Sequence, residues 1–202
     1  MDILNLILEQ WQQQSWVEVV AVFLAIAYVW LAAHENIWCW PAGFISTSLF
    51  AYVYWDVTLI FQMLLNLYYM GMAIFGFFIW RKQGDDQIKI SNMPFYLHII
   101  IVLLGFAISA ITYWVAIFWL SYDLVLLDIG VTVFSLLTTY LTVRKYIESW
   151  YYWSVINLAT IFLVWPSSLY LTAFLMVIYI GIALKGLLNW KADYNLRMNE
   201  QK

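Results

Sequence analysis

The nine Lys and Arg residues of this 202-residue chain fall in alternate connectors between long apolar runs or at and beyond the end of the last run, and that alternation constrains the fold more than any other feature. The runs lie near 16–34, 38–55, 58–80, 96–120, 124–143, 150–166 and 168–190. They are close to the length that crosses roughly 30 Å of hydrocarbon, the second and sixth being short. The segment before the first run holds no basic residue, and neither do the second, fourth and sixth loops. Arg81, Lys82 and Lys89 sit in the third loop, Arg144 and Lys145 in the fifth, and Lys185, Lys191, Arg197 and Lys202 at or beyond the last run. Basic residues mark the cytoplasmic side, so the split predicts an N-terminus outside and a C-terminus in the cytoplasm. One helix more or fewer would destroy the alternation. The expected class is therefore an all-α integral membrane protein with seven transmembrane helices.

Composition narrows the function. The chain is 65% hydrophobic and 10% charged, against roughly 25% charged in soluble domains. A net charge of −3 and the lack of a basic run argue against a nucleic-acid partner. Cys39 is the only cysteine, and His34 and His98 stand alone, so neither an intrachain disulfide nor a metal or cofactor is expected. GxSxG, HExxH and phosphate-cradling Gly loops are missing from the sequence, which argues against an enzyme. Thirteen Trp, fifteen Tyr and thirteen Phe exceed what interfacial belts need and point to aromatic surfaces lining something. Residues 1–15 lack the basic start and small-residue cleavage site of a signal peptide. Ile3, Leu4, Ile7, Leu8 and Trp11 recur there at helical spacing, which predicts a short interfacial helix, with a frayed terminus as the alternative.

Shifting the sequence by 110 residues without gaps lays the first three runs on the last three. Tyr69, Gly71, Ala73, Gly76, Trp80 and Arg81 fall on Tyr179, Gly181, Ala183, Gly186, Trp190 and Lys191, and Trp40, Trp55 and Glu18 fall on Trp150, Trp165 and Asp128. The expected layout is 3+1+3: an N-terminal segment 1–15, a first three-helix repeat 16–80, a cytoplasmic loop 81–95, a linking helix 96–120, a second repeat 124–190 and a cytoplasmic tail 191–202. Parallel repeats of this kind are one plan for transporters, with substrate held near midplane between the repeats. The repeated glycines read as close-packing positions, with a hinge role as the alternative.

Trp150, Trp153 and Asn157 recur at i, i+3 and i+7, one face of the sixth helix over about 10 Å. That face reads either as a slot for a flat ligand, or as an interfacial Trp plus an amide that glues helices. The first-half equivalents, Trp40, Gly43 and Thr47, are smaller and predict room for a guest. Gln62 and Asn66 add two amides one turn apart in the third run, where polar groups need partners or water. Glu18 and Asp128 lie within runs but read as N-terminal helix acids, Glu18 in a capping box with Ser15 and Asp128 after an Asp123 cap. An electrostatic funnel for cations is the alternative.

The stretch RKYIESWYYWSVIN, with its basic pair, Glu-x-Trp and Trp-x-x-Trp-x-x-x-Asn, resembles the sixth-helix motif of the PnuC family of bacterial vitamin transporters, and the resemblance runs from SWVEVVA through the seventh helix. It implies a SWEET-like architecture in the inner membrane and facilitated uptake of a small-molecule vitamin, with a cytoplasmic kinase trapping the substrate. It also implies that Trp150, Trp153 and Asn157 line the substrate site, with Gln62 and Asn66 as weaker carry-overs. A homo-oligomer is compatible with it. Family members carry chiefly nicotinamide riboside or, in the PnuT branch, thiamine, both with cationic aromatic rings. Two Trp contacts supply about 1 to 4 kcal/mol, short of the roughly 8 kcal/mol of micromolar binding, so hydrogen bonds must add the rest. The connection of about three residues between the fourth and fifth runs, together with ENIWCWPAG, is similar to short members that include thiamine transporters. Thiamine is the expected substrate, nicotinamide riboside the alternative, and a non-transporting structural subunit the remote one.

Overall fold

A computed structural model describes residues 3–13, 15–56, 60–82, 87–116, 118, 124–166 and 168–200. Eight helices are formed among them: α1 (Ile3–Gln13), α2 (Trp16–Ala33), α3 (Cys39–Asp56), α4 (Ile60–Trp80), α5 (Phe95–Ala116), α6 (Val125–Val143), α7 (Ser149–Val164) and α8 (Tyr170–Glu200). Each of the seven apolar runs coincides with one helix from α2 to α8. Five helices, α2, α4, α5, α6 and α8, are long and apolar enough to cross a membrane, while α7 is apolar but has 16 residues. Residues Ile3–Gln13, within the segment expected to lie in the interface, are helical, and Trp11 of α1 meets Phe23 of α2 edge-on at 6.2 Å. The last helix runs ten residues past the end of its apolar run. Residues 191–200, expected as a tail, continue it because that stretch loses apolarity but holds no Gly or Pro to stop the helix.

Ser15 caps α2. Its Oγ accepts from Glu18 N at 3.3 Å and its N donates to the Glu18 carboxylate at 2.7 Å, which closes the expected capping box. The equivalent cap on α6 differs. Leu124 is the N-cap and makes no side-chain cap bond, Asp128 stands in the first turn, and Asp123 lies outside the described residues.

The chain forms two compact units, residues 1–90 with 185–202, and residues 91–184. In the first, α3 packs against α2 and α4. Ser46 donates to Ala21 O at 2.7 Å, and Trp40, 1% exposed, lies edge-on to Trp80 at 5.1 Å. The C-terminal half of α8 closes the end of α2. Trp190 Nε1 donates to Ala32 O at 3.2 Å, Asn189 Nδ2 to Ala33 O at 3.1 Å, and Arg197 pairs with Glu35 at 3.0 Å. Carbonyls of the last turn, which lack helical partners, gain side-chain donors in this way beside the backbone N–H groups of the following turn.

In the second unit α6 packs against α5 and α7. Met93, Ile101 and Leu141 form one apolar cluster, and Val125, Ile129 and Val133 another. The segment before α5 is tied to the α6–α7 turn: Ser91 N donates to Lys145 O and Ile147 N to Ser91 O, each at 3.1 Å, and Met93 N donates to the Glu148 carboxylate at 2.8 Å.

The 110-residue repeat is visible in the backbone. Glu35 and Lys145, 110 positions apart, both adopt left-handed conformations, with φ 55° and 56°. After α2, Asn36 N donates to Leu31 O and Glu35 N to Ala32 O. After α6, Tyr146 N donates to Leu141 O and Lys145 N to Thr142 O. Both are Schellman turns, built here without glycine. The repeated glycines are less uniform. A Cβ on Gly76 would lie 2.5 Å from the Trp40 indole, whereas Gly71 and Gly181 have nothing within 4 Å. The close-packing expectation holds for Gly76 and fails for those two.

Candidate functional site

The α6–α7 turn launches α7 one residue before Trp150, so the Trp-x-x-Trp-x-x-x-Asn spacing falls on helix from its start. Its residues divide the helix by burial. Trp150 is 2% exposed and Asn157 7%, with Trp153 partly buried, while Tyr151, Val155, Leu158 and Phe162 on other faces are exposed. An apolar outside is what lipid requires, and the amide is turned inward as expected. Among the described residues the Asn157 amide, 7% exposed, makes no side-chain hydrogen bond.

Trp153 is held through its ring nitrogen. Nε1 donates to Thr142 Oγ1 at 3.0 Å, and that hydroxyl donates onward to Thr138 O at 3.0 Å. Thr142 belongs to a buried hydroxyl stripe on α6 with Ser135, Thr138 and Thr139. Their i, i+3, i+4, i+7 spacing was readable in the sequence but was not singled out there, because hydroxyls in spans commonly bond their own helix. Thr139 does so, to Ser135 O at 2.8 Å. The Thr138 Oγ is fully buried and has no partner among the described residues.

The first-half equivalents are closed rather than open. Trp40 is buried, and a Cβ on Gly43 would lie 2.9 Å from the ring of Tyr28. Thr47 Oγ1 donates back to Gly43 O at 2.9 Å. The room expected beside Gly43 is therefore occupied by Tyr28, which the sequence places in a different helix.

Gln62 and Asn66 do not form a paired amide site. Asn66 is 9% exposed and its Nδ2 donates to the backbone carbonyl of Gln62 at 2.9 Å, whereas the Gln62 side chain is exposed. Both lie in the first unit, and the α7 motif lies in the second.

Comparison with known proteins points in one direction. The family model described as nicotinamide mononucleotide transporter matches residues 15–192. The chain is similar to the nicotinamide riboside transporter PnuC of Escherichia coli strain K12, at 23% identity over 87% of this chain and 85% of that one. It is also similar to that of Neisseria mucosa, at 30% identity over 87% and 72%. A crystal structure of the vitamin B3 transporter PnuC matches with a TM-score of 0.73 and 26% identity, covering 94% of this chain and 88% of that one.

Proposed function

The chain belongs to the nicotinamide mononucleotide transporter family, and on that premise we propose that it is a facilitator carrying nicotinamide riboside across a bacterial inner membrane. Its family makes it a vitamin transporter and not an enzyme. Thiamine, expected from the short fourth connection, is not supported by the comparisons: the curated relatives described above carry nicotinamide riboside in their names.

The observation that carries the reading is the inward face of α7, two indoles followed by a buried amide without a side-chain partner. A pyridinium ring stacks on indole through cation–π attraction. Its carboxamide offers one donor group and one acceptor, the complement of what Asn157 presents. The same face favours the riboside over the phosphorylated nucleotide. Lys185, near the end of the last run, is the one Lys or Arg inside an apolar run, and the stretch 150–166 that carries the α7 motif holds none to offset a phosphate. The reading includes seven spans in a 3+1+3 arrangement with the N-terminus outside; the twin Schellman turns support the repeat. A cytoplasmic kinase traps the product and keeps uptake downhill.

Calorimetric titration of the purified protein tests the substrate. Nicotinamide riboside is expected to bind at least tenfold more tightly than thiamine or the mononucleotide. The reverse order would restore thiamine, and silence with all three would reduce the α7 face to packing. Facilitation is tested separately. Glu18→Gln keeps the capping box but removes the ionisable group, and is expected to leave uptake within twofold. Ser15→Ala is expected to cost about 1 kcal/mol of stability, read from thermal unfolding. Loss of uptake in Glu18→Gln would restore proton coupling.

A further inference from the structure

We propose that Thr142 is the residue that positions Trp153 for ligand stacking, and so sets affinity without touching the ligand. This rests on the reading of the α7 face as the substrate site. A Trp side chain rotates about two bonds, and a stacking wall works only if the ring is held in one plane. Trp153 is partly buried, and packing therefore contacts only part of its indole. Its N–H donates to Thr142 Oγ1 at 3.0 Å, and the Thr142 hydroxyl is oriented in turn by donating to Thr138 O at 3.0 Å. Thr142 is 2% exposed, so its oxygen has no water to exchange for the indole. The bond thus has a fixed acceptor on a neighbouring helix and a defined hydrogen on each heavy atom.

The internal repeat supplies a control. At the positions equivalent to Trp153 and Thr142 the first half carries Gly43 and Ala32. There the ring of Tyr28 covers Gly43, and Ala32 offers only its backbone oxygen, to Trp190. Indole and hydroxyl occur together only in the half that carries the amide at Asn157. A bond needed merely to join the two helices of a repeat would be equally useful in both halves.

The test uses the full chain in detergent, with nicotinamide riboside as the calorimetric probe and 15N-labelled Trp for NMR. Thr142→Val keeps the shape and removes the hydroxyl. It is expected to shift the Trp153 indole N–H resonance, identified by its loss in Trp153→Phe, and to weaken binding about five- to tenfold, the worth of one net hydrogen bond. Thr142→Ser is expected to restore both. Trp153→Phe keeps a ring but no donor, and adding Thr142→Val to it should weaken binding no further. Wild-type affinity in a folded Thr142→Val overturns the proposal while leaving the transport reading intact, and so do losses that multiply in the double variant. If the wild-type protein binds no nicotinamide riboside, the transport reading falls, and this proposal with it.

Discussion

Asn157→Leu is expected to abolish nicotinamide riboside uptake in vesicles while the purified protein unfolds at or above the wild-type temperature. The pairing of those two results is what discriminates. Asn and Leu share the same branched side-chain skeleton, Leu being the bulkier, so the helix packs with only local adjustment. Asn157 is 7% exposed and makes no side-chain hydrogen bond among the described residues, so losing the amide strands no partner among them. An amide acting as interhelical glue would behave in the opposite way, since its loss strands a partner at about 1–3 kcal/mol. Loss of the ligand's hydrogen bonds corresponds to about 10- to 100-fold in affinity. Trp153→Ala is expected to abolish uptake as well, with the protein still folded in detergent. Uptake within twofold of wild type in both variants would remove the site from α7.

The helices were legible because the membrane enforces them: backbone polar groups in hydrocarbon must be satisfied internally, so an apolar run of sufficient length is a helix. That logic fixes where spans begin and says nothing about where helices stop, and α8 accordingly runs on to Glu200. The face of α7 was legible for the same reason, since Asn157 had to avoid lipid. Side-chain partnerships between helices were not legible. Nothing in the spacing showed that Tyr28 fills the space at Gly43, or that Asn66 turns back to its own helix and leaves Gln62 exposed. The Schellman turns at Glu35 and Lys145 were not legible because their left-handed residues are not glycine, the usual signal for such a turn. The α6 hydroxyls were visible as letters, but only the bond from Trp153 separates Thr142 from its self-bonded neighbours.

Gly76 and Gly71 stand on one helix in one repeated motif, yet they are expected to respond to the same substitution with opposite signs. Gly71 has nothing within 4 Å of an added Cβ. Gly71→Ala therefore gains the helix preference of Ala, up to about 1 kcal/mol. At Gly76 the Cβ would fall 2.5 Å from Cε2 and Cζ2 of Trp40. That indole cannot step aside: it is 1% exposed, edge-on to Trp80 at 5.1 Å and 5.9 Å from Tyr28. Overpacking of this kind costs about 1–3 kcal/mol, and more for the bulkier Gly76→Val. At about 2–4 °C per kcal/mol for a chain of this size, thermal unfolding should separate Gly76→Val from wild type by several degrees, while Gly71→Ala moves slightly upward. A shared destabilisation would mean that both glycines serve the backbone itself, as hinges would, and that the motif is repeated for motion. Opposite signs would mean that of the motif's two glycines on α4 only one is needed for packing, the one on which the buried Trp40 lies.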